Sequence, residues 1–228
     1  MIIYGKRVCL YALESHKALI KTVYIAKKGI LPQKLYDQYK SRIKFLENRW
    51  AQSMAKGGNH QGILIEMEDF SQADLATIKQ GDFILVLDGL TDSGNIGAII
   101  RTAFALGVDG VIATGVKSLN FASLIRTSSG ALFDMPFIII PNILDVLNEL
   151  KQVDFKLYGA SMDGTFVNKC QFKQKKVLVL GSEGEGISKR AKFKIDEMVS
   201  IEMKREFDSL NVSVAAGILI DRMRYAVK

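Results

Sequence analysis

From residue 81 onward, short apolar runs alternate with helix-like stretches. The series reads "FILVLD", "NIGAIIRTAFALG", "VDGVIAT", "ASLIRTSSGALF", "MPFIII", "ILDVLNEL", "KLYGAS", "KVLVLG", "MVSIEM" and "SLNVSVAAGILIDRM". Strands buried on both faces are apolar throughout, and an intervening helix lets successive strands lie parallel. The pattern predicts an α/β fold, a mainly parallel sheet covered by helices on both faces. A chain of 228 residues, 48% of them hydrophobic, has the material for one large or two small domains.

The front third reads differently, as a small α/β unit. "RVCLYALE" has helical spacing, "TVYIAKK" and "QGILIEM" are strand-like, and "LPQKLYDQYKSRIKFLENRWAQSMAK" is expected to be mostly helical, with Pro32 tolerated near its start. A polar stretch, "EDFSQADLATIKQGD", reads as a linker with a short helix. The expected division is therefore residues 1–72, a linker at 73–80, and a second domain at 81–228.

Charge separates the same two parts. Residues 1–56 hold 12 Lys/Arg against Glu14, Asp37 and Glu47, a balance of +9, whereas residues 57–228 hold 19 against 21 acids. A basic module joined to a near-neutral one suggests that the first grips a polyanion; a solvated lysine-rich surface is the alternative. The loop "GGNHQG" offers Asn59, His60 and Gln61, whose side chains all suit a sugar, phosphate or base edge. It also reads as an ordinary connecting loop.

Several classes are excluded. No apolar run approaches the roughly 20 residues of a membrane span, and the opening residues lack a signal-peptide pattern, so a cytoplasmic protein is expected. Cys9 and Cys170 lie far apart, and His16 and His60 have no ligand-spaced partners, so neither disulfide nor metal site is expected.

Three loops at strand ends carry the polar residues suited to chemistry, where open α/β sheets bind ligands. In "LDGLTDSGNIGAIIRTAF", Asn95 and Arg101 stand out. Asn95 also suits a helix N-cap, in competition with Asp92 or Ser93, and Arg101 also suits an outward-snorkelling or ion-paired side chain. In "SLNVSVAAGIL", Ser209 is a credible N-cap, while Asn211 and Ser213 are poor helix formers without an obvious local task. The third loop, "LVLGSEGEGIS", has glycines for close backbone approach, but Glu183 would repel a phosphate. Its glycine order and late position do not fit a dinucleotide fingerprint, and no P-loop sequence exists. A ligand bearing positive charge, such as the sulfonium and amino group of S-adenosyl-L-methionine, fits better.

Together "NIGAIIRTA", "LVLGSEGEGIS" and "SLNVSVAAGIL" resemble the three ordered motifs of the SpoU/TrmH class of RNA ribose 2′-O-methyltransferases in the SPOUT superfamily. "IYGKRVCLYALES" and "NHQGI" are similar to the ribosomal-protein-like substrate-binding domain of its ribosomal RNA branch. The resemblance implies a C-terminal trefoil knot, a homodimer, and S-adenosyl-L-methionine held near Leu180, Gly181, Glu183, Gly186, Ile201, Leu210, Asn211 and Val212. By the same motif matching, Asn95, Arg101, Glu183, Ser209 and Asn211 line the reaction centre, with Arg101 also facing RNA.

The implied substrate is RNA, a guanosine of 23S rRNA or a ribosome assembly intermediate; a tRNA enzyme and a non-catalytic RNA-binding protein are the rivals. Family proposals make the Arg101 position the group that activates the hydroxyl. A guanidinium is a poor base, so a phosphate clamp is an equal reading. Glu185 is expected to be solvated. The front domain is more basic and shorter than the resemblance implies.

Overall fold

A computed structural model describes residues 1–205 and 208–225; Glu206 and Phe207, just before "SLNVSVAAGIL", and the end of the expected second domain at 226–228 lie outside the described residues. The chain divides into two compact units, one of Met1–Ser71 with Asn120–Phe133, the other of Gln72–Leu119 with Asp134–Lys228.

The first unit runs β1 (Ile2–Tyr4), α1 (Lys6–Ser15), β2 (Ile20–Ile25), α2 (Gln33–Tyr39), β3 (Ile43–Phe45), α3 (Asn48–Met54) and β4 (Ile63–Met67). Its sheet has the order β1-β4-β2-β3, with β2 and β3 parallel and the other neighbours antiparallel. Ile3, Val8, Leu13, Val23 and Ile65 are buried, each such side chain contributing about 1.5–3 kcal/mol. The long helix expected over 31–56 is broken by β3. Ile43 and Phe45 flank Lys44 in alternation, and pairing with Val23–Ile25 gives this segment a sheet neighbour.

The second unit starts at Gln72, one residue before the expected linker, and takes that linker in. Asp74 caps α4 (Leu75–Ile78) by accepting from Thr77 N–H, and Ile78 is buried in the unit's core. β5 (Phe83–Asp88), α5 (Ser93–Ala105) and β6 (Gly110–Thr114) follow. The next helix, α6 (Phe121–Thr127), belongs to the first unit, although chain order placed it in the domain of residues 81–228. There Phe121 stacks on Phe70 with ring centroids 4.8 Å apart, and Arg126 lies over the Tyr4 ring. Contacts remote in sequence determine that membership.

The remaining elements of the second unit are β7 (Phe137–Ile139), α7 (Ile143–Gln152), β8 (Lys156–Phe166), β9 (Lys176–Gly181), α8 (Lys189–Lys192), β10 (Glu197–Ser200) and α9 (Val212–Tyr225). Six strands form one sheet in the order β10-β8-β9-β5-β6-β7, every neighbouring pair parallel. The central strands β5 and β6 are buried at every position, as expected where both faces are covered. Val146, Leu147 and Leu150 of α7 pack with Leu157, Val177 and Val179 in the core, while α9 packs beside α5, where the Thr102 methyl lies 3.5 Å from the position a Cβ on Gly217 would take. Two strand ends differ from expectation. β8 continues to Phe166, and β10 stops at Ser200, leaving Ile201–Met203 outside the sheet.

Both cysteines are free and buried, and burial pushes the Cys9 thiol well above its ordinary pKa. Among the described residues no three metal-ligating side chains gather, and no helix is long and apolar enough to cross a membrane.

Candidate active site

The carboxyl ends of β5 and β9 lie side by side, with Asp88 in register with Gly181. Asp88 is a buried carboxylate at the end of an apolar strand. Its Oδ2 accepts from Ser188 N–H at 2.9 Å, and its Oδ1 accepts from the Thr114 hydroxyl at 3.4 Å. The bond to Ser188 ties the far end of the glycine loop to the neighbouring strand.

Within that loop the chain turns back on itself. Gly186 N–H donates to Ser182 O at 2.9 Å, the two residues form an isolated bridge, and Gly186 has φ +65°. A Cβ on Gly181 would lie 2.0 Å from the Gly186 carbonyl carbon, so only glycine permits this fold-back. Glu183 is left exposed near the loop's crest, as is Glu185.

The other two loops converge on Glu183. Asp92 is the N-cap of α5, accepting from Asn95 N–H at 2.7 Å, which frees the Asn95 side chain for other bonds. Asn95 Nδ2 donates to Glu183 Oε1 at 2.9 Å. Asn211 Nδ2 donates to Asn95 Oδ1 at 3.0 Å and to Glu183 Oε1 at 3.2 Å. Three side chains from three separate segments thus form a closed triangle. Glu183 Oε2 accepts no hydrogen bond among the described residues.

Asn211 also starts α9. Its Oδ1 accepts from Ser213 N–H at 2.9 Å and from the Ser213 hydroxyl at 2.6 Å, and its carbonyl accepts from Ala215 N–H. This N-cap geometry corrects the expectation that Ser209 caps the last helix, and it gives Asn211 the local task the sequence did not show. Ser209 instead belongs to the cavity wall.

The cavity has a volume of about 690 Å³. Leu180, Gly181, Ile201, Leu210 and Val212 give it an apolar side, while Glu183, Ser209 and Asn211 supply polar groups. Gly186 lines it as well, so all eight positions expected around a cofactor border one space. The size, apolar wall and exposed carboxylate suit a ligand with a flat heterocycle and a cationic end. Asn95 reaches this site through its bonds to Glu183 and Asn211. Arg101, exposed on α5, forms no hydrogen bond or ion pair among the described residues.

The residues of the 57–62 loop are placed differently. His60 is buried, and its Nδ1 accepts from Gly62 N–H at 3.1 Å. Gln61 Oε1 accepts from Lys6 N–H at the start of α1, and Asn59 Oδ1 accepts from Gln61 N–H. These acceptors shape the loop and cap a helix.

Sequence reading missed the wall formed by Ala160–Met162 and Phe166 of β8, which carries no chemical motif. It also missed Asp88, whose signal was an acid ending the buried run "FILVLD".

Residues 82–221 match the SpoU rRNA Methylase family, and residues 2–73 match the RNA 2′-O ribose methyltransferase substrate-binding family. The chain is 32% identical over 194 residues to 23S rRNA (guanosine-2′-O-)-methyltransferase RlmB of Neisseria meningitidis, covering 80% of this chain and 76% of the relative. It is 35% identical over 187 residues to the RlmB of Pasteurella multocida, covering 78% and 76%. The SpoU methyltransferase AviRb of Streptomyces viridochromogenes, solved with AdoMet, superposes with TM-score 0.79 at 25% identity, covering 98% of this chain and 89% of that one. The chain belongs to the SpoU rRNA methylase family and is an S-adenosyl-L-methionine-dependent RNA ribose 2′-O-methyltransferase.

Proposed function

We propose that the protein methylates a guanosine of 23S rRNA, free or in a ribosome assembly intermediate. The observation that carries this reading is the Asn95–Glu183–Asn211 triangle at the edge of the cavity, which joins all three polar loops at one point. The RlmB relatives support the choice of target.

When bound, S-adenosyl-L-methionine supplies a methyl group on a sulfonium. Gly181, Ile201 and Leu210 offer backbone to the adenosine portion, with Leu180, Gly186 and Val212 around it. Glu183, its Oε2 uncommitted, faces the cationic end or orients a donor. Asn95 and Asn211 hold Glu183 in place, and Ser209 offers a hydroxyl beside them. Arg101 binds an RNA phosphate next to the target nucleotide, its charge aligning the ribose hydroxyl for in-line attack; such positioning is worth several kcal/mol. An exposed guanidinium without an acid partner suits this clamp better than the role of base.

The residues of the first unit with their excess charge form the substrate-binding domain, with the exposed Asn59 and Gln61 of the 57–62 loop facing RNA and the buried His60 holding the loop's shape. The catalytic unit folds with a C-terminal trefoil knot, an exception to the rule against threading. The working form is a homodimer. Phe104, Leu210 and Val214, all more than a third exposed on or beside α5 and α9, support a self-association surface there.

Radiolabelled methyl transfer onto unmodified 23S rRNA and onto unmodified tRNA, followed by mapping of the labelled nucleotide, tests the target. A label on a 23S guanosine is expected. Transfer to tRNA alone overturns the proposal.

A further inference from the structure

The first unit contains a second cavity, of about 280 Å³, which the methyl-transfer chemistry leaves unused. It lies where the parallel strands β2 and β3 end, with Ile25 and Phe45, the last residues of the two strands, on its wall. Ile30, Leu31 and Tyr36 extend the apolar lining, and Lys28 and Gln33 are its polar members.

Phe45 remains 60% exposed. An aromatic ring at a strand end, held beside a small hollow, presents a flat face ready to cover another flat group. Gln33 is fixed by a 2.9 Å bond from its Nε2 to Asp37 Oδ1. The turn between Lys28 and Ile30 passes through Gly29 with φ +71°, and nothing lies within 4 Å of where its Cβ would be, so the rim is open.

Three properties select the occupant. The volume falls just under the roughly 300 Å³ at which pockets for whole drug-sized ligands begin, so a single ring system fits better than a complete cofactor. Lys28 on the wall favours an anion attached to that ring. The +9 balance of residues 1–56 favours a polyanion over an uncharged or basic peptide. Trp50, 57% exposed with the Arg49 guanidinium 5.3 Å from its ring centroid, adds a second aromatic face to the same basic segment.

We propose that this cavity holds one unpaired nucleobase of the RNA substrate, stacked on Phe45 with its phosphate at Lys28. The first unit then reads an unstacked nucleotide in a loop or bulge, where bases are free to be splayed onto aromatic side chains. The inference rests on the proposed role of this unit in substrate binding.

Fluorescence anisotropy with a short labelled single-stranded RNA, a duplex of the same sequence and an unmodified 23S rRNA transcript tests it. Phe45→Ala and Lys28→Ala are each expected to weaken single-strand binding about tenfold, with little change for the duplex. Phe45→Tyr retains affinity, and S-adenosyl-L-methionine binding by calorimetry is the same in all variants. Wild-type protein that methylates 23S rRNA while Phe45→Ala keeps full RNA affinity overturns the cavity assignment alone. A Phe45→Ala defect of equal size on the single strand and the duplex also overturns it, since an unpaired base is then not what the ring holds. Wild-type protein that binds none of these RNAs overturns both the cavity and the substrate-binding role.

Discussion

Asn95 and Glu183, 88 residues apart in sequence, are joined by a 2.9 Å hydrogen bond from Nδ2 to Oε1, and Asn211 donates to both. The neutral Asn211–Asn95 bond contributes about 0.5–1.5 kcal/mol net, and each bond to the exposed carboxylate at most about 1.5–3 kcal/mol, the minor part of a domain's 5–15 kcal/mol of stability. The effect of the triangle is therefore positional. It fixes the glycine loop, the start of α5 and the entrance to α9 relative to one another.

Removing one corner should lower turnover without unfolding the protein. Asn95→Ala and Asn211→Ala are each expected to reduce kcat/KM by roughly 10–100-fold, in line with the sensitivity of reaction geometry to small displacements. Because both asparagines donate to the same Glu183 oxygen, the double variant should lose much less than the sum of the single effects expressed as free energies. Steady-state kinetics on all four proteins checks this, and strict additivity would count against the shared frame.

Gly181→Ala tests the fold-back of the loop. Its new methyl would lie 2.0 Å from the Gly186 carbonyl carbon and 2.1 Å from Ile187 N, both backbone atoms that no rotamer change can move aside. The loop must open, and S-adenosyl-L-methionine binding measured by calorimetry should weaken at least tenfold. Gly184→Ala is the control, since nothing lies within 4 Å of that position and no positive φ is recorded there. Equal affinities in the two variants would remove the steric argument.

Much of this arrangement is legible in the sequence because its cause is local. β5, β6 and β9 are built on the unbroken apolar runs Phe83–Leu87, Val111–Ala113 and Val177–Leu180, and chain segments of that kind form buried parallel strands. The three polar loops follow from strand ends, and the eight proposed cofactor positions border one cavity. The misreadings have non-local causes. β3 is a strand because Val23–Ile25 lies alongside it, and α6 joins the first unit through contacts such as Phe70 with Phe121. The role of Asn211 as both helix cap and bridge depends on the folded positions of Asn95 and Glu183. His60 had the opposite fate: a side chain suited to RNA is buried, with its Nδ1 occupied by Gly62 N–H.

Arg101 provides the clearest separation of chemistry from folding. The side chain is exposed and has no bonding partner among the described residues, so its loss leaves no buried group unsatisfied. Arg101→Ala should abolish methyl transfer while leaving thermal stability, oligomeric state and S-adenosyl-L-methionine affinity largely intact. Arg101→Lys retains charge without the bidentate fork and should recover part of the activity if the group clamps a phosphate. Normal turnover in Arg101→Ala would sink the assignment.

Acid stability should depend on Asp196, at the junction of α7, β8 and the segment before β10. Burial by itself raises the pKa of this carboxyl, but the Lys151 ammonium at 2.6 Å and the Leu157 N–H at 2.8 Å outweigh it and hold the group below the usual carboxylate range. The folded state therefore retains the charged form to lower pH than the unfolded chain, whose aspartates titrate near about 3.9. The resulting stabilisation is fully present above that pH and is lost as pH falls through the lower, folded-state value. Asp196→Asn removes this component, so the Tm of the wild type should fall more steeply than that of the variant on acidification below about pH 4. At neutral pH the variant should melt a few degrees lower, since about 1 kcal/mol corresponds to roughly 2–4 °C in a protein of this size. Lys151→Met should reproduce part of the neutral-pH loss while leaving the Leu157 bond in place. Calorimetric scans across the acid range decide the matter: parallel Tm curves for wild type and Asp196→Asn would show that the lowered pKa makes no contribution to folding.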